Sequence, residues 1–137
     1  MFTMNNNQIV RISEENQAIC TMQVASTEDK KAFYNATQNP TAKVSDFINQ
    51  TITIRDVYME KAQYVDEETG IVTDGVKTII ITPEGEGILA NSMGVARSLY
   101  SLFDIFGMPS EWDEPITVKV KQIEVKGGNR YFKFEVQ

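Results

Sequence analysis

Hydrophobic and polar positions alternate most cleanly over residues 116–137, where two apolar-in, polar-out runs flank the turn Lys126-Gly127-Gly128-Asn129-Arg130. One face of the pair carries Ile116, Val118, Val120, Phe132, Phe134 and Val136. The other carries Lys119, Lys121, Tyr131 and Lys133. A period of two with opposite faces of opposite character predicts a hairpin with one buried and one wet side. The Gly-Gly pair supplies the positive φ angles of a tight turn. The same alternation places Ala18, Cys20, Met22 and Val24 on a first core strand over residues 16–26, which Lys30–Asn35 continues after a Glu28-Asp29 turn. Residues 51–64 predict a long strand with Ile52 and Ile54 inward. Its inward parity shifts near Asp56, as a bulge would make it do where a strand curves around a barrel. That shift leaves the facing of Tyr58 and Tyr64 open. Residues 65–75 read as a polar loop or a hairpin extension, and Val76–Thr82 as another strand stopped by Pro83.

Over residues 88–106 the period changes. Ile88, Leu89, Met93, Ala96, Leu99, Tyr100, Leu102, Phe103 and Phe106 recur at three- and four-residue spacings, which predicts an amphipathic helix. Asn91 or Ser92 caps its start, Gly107 and Pro109 end it, and Trp112 packs against that end or stacks on a base. The predicted order is strand, long curved strand, strand, helix, strand, strand. A mainly β chain with one helix between strands 3 and 4 implies the five-stranded Greek-key barrel called the OB-fold. Its ligand face would carry Arg55, Tyr58, Lys61, Tyr64 and Lys77, joined by Lys119, Lys126, Arg130, Tyr131 and Lys133 from the final hairpin. Phe33 and Tyr34 are neighbours, so one points in, and Tyr34 is assigned outward as a further stacking ring.

Residues 1–15 are largely polar and rich in Asn and Gln, and carry a short apolar patch of Ile9, Val10 and Ile12. Two readings stand for them: a flexible arm that docks on a neighbouring copy through those three residues, or the start of the protein's own first strand. On the first reading the domain proper is 16–137. The start lacks a signal peptide's basic end and apolar stretch, and no run approaches the ~20 residues of a membrane span. The lone Cys20 fits a buried thiol in a reducing cytoplasm.

Net charge is −6, which argues against indiscriminate polyanion binding yet leaves room for a local basic face. Asp104, Glu111, Asp113 and Glu114 make one segment acidic, whereas the final hairpin is basic. With no histidine and one cysteine, the usual zinc ligand set is missing. Asp66-Glu67-Glu68 lacks the spacing of a calcium loop, and Glu84-Gly85-Glu86-Gly87 lacks the residues of a phosphate-cradling loop. No metal, cofactor or enzymatic activity is expected. A basic, aromatic, strand-built surface suits single-stranded nucleic acid. The competing reading of the lysines is that they only solubilise edge strands, in which case an acidic OB-fold would serve as a protein–protein interaction module.

Four stretches carry a family resemblance: Ile54-Arg55-Asp56-Val57-Tyr58, Lys77-Thr78-Ile79-Ile80-Ile81, Ser98-Leu99-Tyr100-Ser101-Leu102, and Val118-Lys119-Val120 with Lys126-Gly127-Gly128-Asn129-Arg130-Tyr131-Phe132. Over residues 16–137 the chain resembles the small single-stranded DNA-binding proteins encoded by phages and conjugative plasmids of Gram-positive bacteria. The resemblance implies an OB-fold that coats single strands during replication or transfer; on the arm reading, docked copies would form a homo-oligomer along the DNA. The acidic tail by which bacterial chromosomal proteins of this class recruit partners is not found before Gln137, so recruitment through a tail is not expected.

Overall fold

A computed structural model describes residues 18–137 in full and residues 2–5 and 8–11 as backbone. The strands are β1 (Phe2–Asn5), β2 (Gln8–Arg11), β3 (Ala18–Gln23), β4 (Ala42–Lys43), β5 (Thr51–Ile54), β6 (Asp56–Val65), β7 (Val72–Ile81), β8 (Gly87–Ala90), β9 (Ile116–Glu124) and β10 (Arg130–Val136). Two helices, α1 (Thr27–Gln38) and α2 (Met93–Phe106), complete a mainly β architecture. The strands form a seven-stranded sheet, β1-β2-β3-β6-β7-β8-β4, and a three-stranded sheet, β10-β9-β5.

The two sheets are joined by one residue. Ile54 pairs with Ile116 in the small sheet, and Asp56 pairs with Ile81 in the large one. Arg55 lies between, its backbone N–H donating to the Ile81 carbonyl at 2.9 Å. Buried positions accordingly switch from Ile52 and Ile54 to Val57 and Met59, the parity shift expected near Asp56. The bend is pinned from β3. The Thr21 hydroxyl donates to Asp56 Oδ1 at 3.0 Å and accepts from the Val57 N–H at 2.9 Å. Arg55 Nε donates to Asp56 Oδ2 at 3.1 Å. Burial pushes the Asp56 carboxyl above the ordinary range, opposed by the bonds from Thr21 and Arg55.

A raised folded-state pKa means that folding favours the protonated acid, so its contribution is present below about pH 4 and fades as pH rises through the raised value. The stability of Asp56→Asn relative to the parent is therefore expected to increase from pH 4 to pH 7. Urea midpoints of both proteins at the two pH values check this, and a difference that does not move with pH contradicts it.

Two cores result. The first lies between the sheets and beneath α2, and includes Ile52, Ile54, Val57, Ile80, Leu99 and Val118. The second lies on the opposite face of the large sheet, where α1 covers Cys20, Tyr58, Ile79 and Ile81 with Phe33 and Ala36. Strands buried on both faces read as continuous apolar runs, which accounts for Ile79-Ile80-Ile81.

Several elements differ from expectation. Lys30–Asn35 is not a strand but part of α1, which starts at a capping box: Ser26 Oγ accepts from the Asp29 N–H, and the Asp29 carboxylate accepts from the Ser26 N–H. Ile88 and Leu89 belong to β8, and α2 begins only after its cap, Ser92. Among the described residues there are thus two α-helices where one helix was expected. Residues 65–75 are largely hairpin, since β6 and β7 pair out to Val65 and Val72. Among the described residues the sheets do not close into a barrel. The β10 edge is met by α2 instead, with the Phe134 N–H donating to Ser98 Oγ at 3.2 Å. At the amino terminus β1 pairs with β2, and β2 with β3 through Val10↔Ile19 and Arg11↔Ala18. Ile9 and Val10 therefore sit in β2, and Ile12 lies outside the described residues.

Candidate nucleic-acid interface

The β9–β10 hairpin forms as its alternation predicts. Gly127 and Gly128 take φ of 100° and 84°, which side-chain-bearing residues avoid, and the Val125 N–H donates to the Asn129 carbonyl at 2.9 Å to close the turn. Phe132 and Phe134 pack against the first core, opposite Gln122 and Val120. The outer face therefore presents Lys119, Lys121, Ile123, Tyr131, Lys133 and Glu135. Tyr131 is 41 % exposed beside Ile123. β5 widens this face with Thr51 opposite Lys119, and with Thr53 opposite Thr117, their hydroxyls 2.9 Å apart.

Lys133 stands directly opposite Lys121. Like charges directly opposite on a sheet are destabilising unless an anion intervenes. Glu135 partly serves, forming an ion pair with Lys121. That pair, reinforced by Lys119, holds the Glu135 carboxyl below the ordinary range. At the turn end Arg130 pairs with Glu124 at 3.0 Å. Exposed pairs of this kind contribute only about 0–1 kcal/mol, so a phosphate can replace either carboxylate. Lys119, Lys126 and Lys133 make no ion pair among the described residues. Lys121 and the β5 hydroxyls were missing from the predicted site. The alternation already put Lys121 on this face, whereas the Thr51–Lys119 register is a long-range pairing with no local signal.

The other predicted residues do not join this surface. Tyr58 is 7 % exposed, edge-on to Phe33 with ring centroids 5.4 Å apart, beneath α1. Its hydroxyl donates to Glu60 Oε2 at 2.7 Å. It is a core residue, and the assignment as a stacking ring is corrected accordingly. Phe33 points in and Tyr34 out, as assigned, though from a helix. Tyr34 is exposed beside Lys30 and Lys31. Arg55 is occupied by Asp56 at the bend.

Lys77 sits opposite Glu60 on the face that also bears Tyr64. Tyr64 lies over Gly75, where a Cβ would come within 2.5 Å of its ring, and donates to Asn91 Oδ1 at 2.8 Å. Burial, then the nearby Glu60, raises its hydroxyl pKa. Lys61 faces the other way, into a hollow shared with Met93. Trp112 takes the first of its two expected roles, donating from Nε1 to the Gly107 carbonyl at 2.9 Å beside Phe103.

Among the described residues no three Cys, Asp or Glu side chains converge as metal ligands, and no described helix is long and apolar enough to cross a membrane. The outer face of the small sheet thus combines an exposed ring, opposed lysines and hydroxyls, a set suited to stacking bases and neutralising phosphates. Residues 12–137 match the family described as phage single-stranded DNA-binding protein, and the chain belongs to that family. Membership supports single-stranded DNA as its ligand. No curated protein and no solved structure gave a match.

Proposed function

We propose that the protein coats single-stranded DNA without reading its sequence, in phage or plasmid replication or transfer, on the outer face of the β5-β9-β10 sheet. Tyr131 stacks a base, and Lys119, Lys121, Lys133, Lys126 and Arg130 neutralise phosphates. The observation that carries this reading is the Lys121–Lys133 cross-strand pair beside Tyr131, a charge arrangement that an incoming phosphate relieves. The role proposed is non-catalytic, resting on binding and electrostatics, and the lone buried thiol of Cys20 is compatible with a reducing cytoplasm. Tyr34, Arg55, Lys61, Tyr64 and Lys77 remain candidates for a longer strand's path.

The strand order also supports an OB-fold reading once the strands are renumbered. The bent β5–β6, then β7, β8, α2, β9 and β10 give five strands with a helix between the third and fourth. β3 and α1 are then additions outside the barrel, and the gap beside β10 is the opening of a partly open one.

Titration of a fluorescent oligonucleotide at rising salt tests the reading. Each neutralised phosphate contributes about −0.7 to the log–log slope on single strands, so five cations give a slope of at most about −3.5. A salt-independent affinity, or none at low salt, sinks it. Self-association through Ile9, Val10 and Ile12 is a separate proposal. Support for the arm lies in β1, an edge strand of the larger sheet whose outer hydrogen-bonding groups suit strand addition, and not in β2, which holds Ile9 and Val10 and is already paired on both sides. Removing residues 1–13 is then expected to lower cooperative coating of long strands while short oligonucleotides still bind; unchanged cooperativity contradicts it.

A further inference from the structure

The β6–β7 ribbon outruns its neighbours. β3 pairs with β6 only over Tyr58–Glu60, and β8 with β7 only over Thr78–Ile81, so residues 61–77 stand as a two-stranded ribbon among the described residues. Such ribbons are marginal in water unless something packs on them. The tip is nevertheless firmly built. Asp66 Oδ1 accepts from the N–H groups of Glu68 and Thr69 at 2.8 and 3.0 Å. The Asp66 N–H donates to the Ile71 carbonyl at 3.0 Å, and the Gly70 N–H to the Asp66 carbonyl at 2.8 Å. This ordered tip holds Val65 and Ile71 each 62 % exposed, with Val72 beside them. Residues 62–76 carry Asp66, Glu67, Glu68 and Asp74 and no lysine or arginine. An apolar knob ringed by acids is no binding surface for a phosphate backbone and suits a protein surface with the opposite rim.

This chain has such a surface. Between α2 and β10 runs a groove of about 330 Å³ lined by Leu102, Ile105, Phe106, Phe134 and Val136, with Arg97 and Lys133 also on its wall. Ile105 is 77 % exposed, and neither cation makes an ion pair among the described residues. We propose that the acidic, apolar tip of one copy seats in the α2–β10 groove of the next. Tip and groove are different surfaces, so copies can join head to tail, which leaves a free tip at one end and a free groove at the other and lets the contact propagate along a strand. Tyr131 and Lys133 line the groove and also belong to the DNA face, so each contact forms beside the bound strand. The inference rests on the proposed DNA coating for its role, but the contact itself needs no DNA. Weak between free copies, it strengthens when one strand holds neighbours at high effective concentration.

A protein carrying Ile71→Cys and Ile105→Cys, mildly oxidised without DNA, is expected to give a ladder of three or more linked copies. Either single variant stops at pairs, because the native Cys20 is buried. Absence of a ladder overturns the proposal. Arg97→Glu is expected to lower cooperative coating of a long strand at least about tenfold, since like charges then meet across the contact. Adding Glu67→Lys and Glu68→Lys restores it. If Arg97→Glu instead weakens binding of an oligonucleotide that holds one copy, and the tip substitutions change nothing, the groove takes DNA and the proposal falls. Failure of DNA binding altogether would leave the ladder intact, which separates the two readings.

Discussion

Tyr58→Ala is expected to destabilise the fold by about 3–5 kcal/mol, the usual cost of emptying a large aromatic site in a core. The ring is nearly inaccessible, closes the second core against Phe33 and ties its hydroxyl to Glu60. The lost edge-to-face pair belongs to a class that contributes about 0.5–1.5 kcal/mol beyond area burial. Against a typical domain stability of about 5–15 kcal/mol, this is a large fraction, and the thermal midpoint should fall by roughly 10 °C or more. Tyr58→Phe keeps the ring and loses only the hydroxyl's bond, about 1 kcal/mol. Oligonucleotide affinity of the folded fraction should match the parent in both variants. A Tyr58→Ala protein that melts normally but binds DNA poorly would return this ring to the binding face.

The error over Tyr58 traces to one unseen helix. α1 has a thin apolar stripe, Ala32, Phe33 and Ala36, in an otherwise polar segment. Its start signal, Ser26 followed three residues later by Asp29, overlaps the Glu28-Asp29 pair that reads as a turn, although the same spacing defines a capping box. Without α1, the outward face of β6 looks solvent-exposed and its tyrosines look available. The apolar run Ile79-Ile80-Ile81 held the contrary clue, because an alternating half-buried strand does not place three isoleucines in a row. β8 was hidden for another reason. Four residues are too few to show a period, and Ile88 and Leu89 fit a helical stripe equally well.

What was legible followed from local geometry. The glycine pair fixed the last hairpin and its register, and with them the shared face of Lys119, Tyr131 and Lys133. The parity shift at Asp56 was visible because changing sheets forces a strand out of its two-residue period. Register across 64 residues, such as Thr53 against Thr117, is set by core packing and has no local trace. The hairpin part of the candidate site was therefore readable, whereas its extension to Arg55, Tyr58, Lys61, Tyr64 and Lys77 assumed a single continuous face that these strands do not share.

Tyr131→Ala is expected to weaken single-stranded DNA binding by about 1–3 kcal/mol, roughly 5- to 150-fold, while leaving the thermal midpoint in place. The ring is exposed and alternates out of the core that Phe132 and Phe134 enter, so removing it opens no core cavity. Tyr131→Phe keeps a π-face and should bind nearly as well as the parent. Lys133→Ala should behave differently. It removes one phosphate contact, so the salt slope becomes shallower by about 0.7 and the loss of affinity is greatest at low salt. Because Lys121 then faces no like charge, Lys133→Ala should also leave the protein as stable as the parent or slightly more so. Titrations of all three variants over a salt series, paired with melting curves, separate stacking from charge. An unchanged affinity in Tyr131→Ala, or a fall of several degrees in its midpoint, would show that the ring supports packing and that bases stack elsewhere.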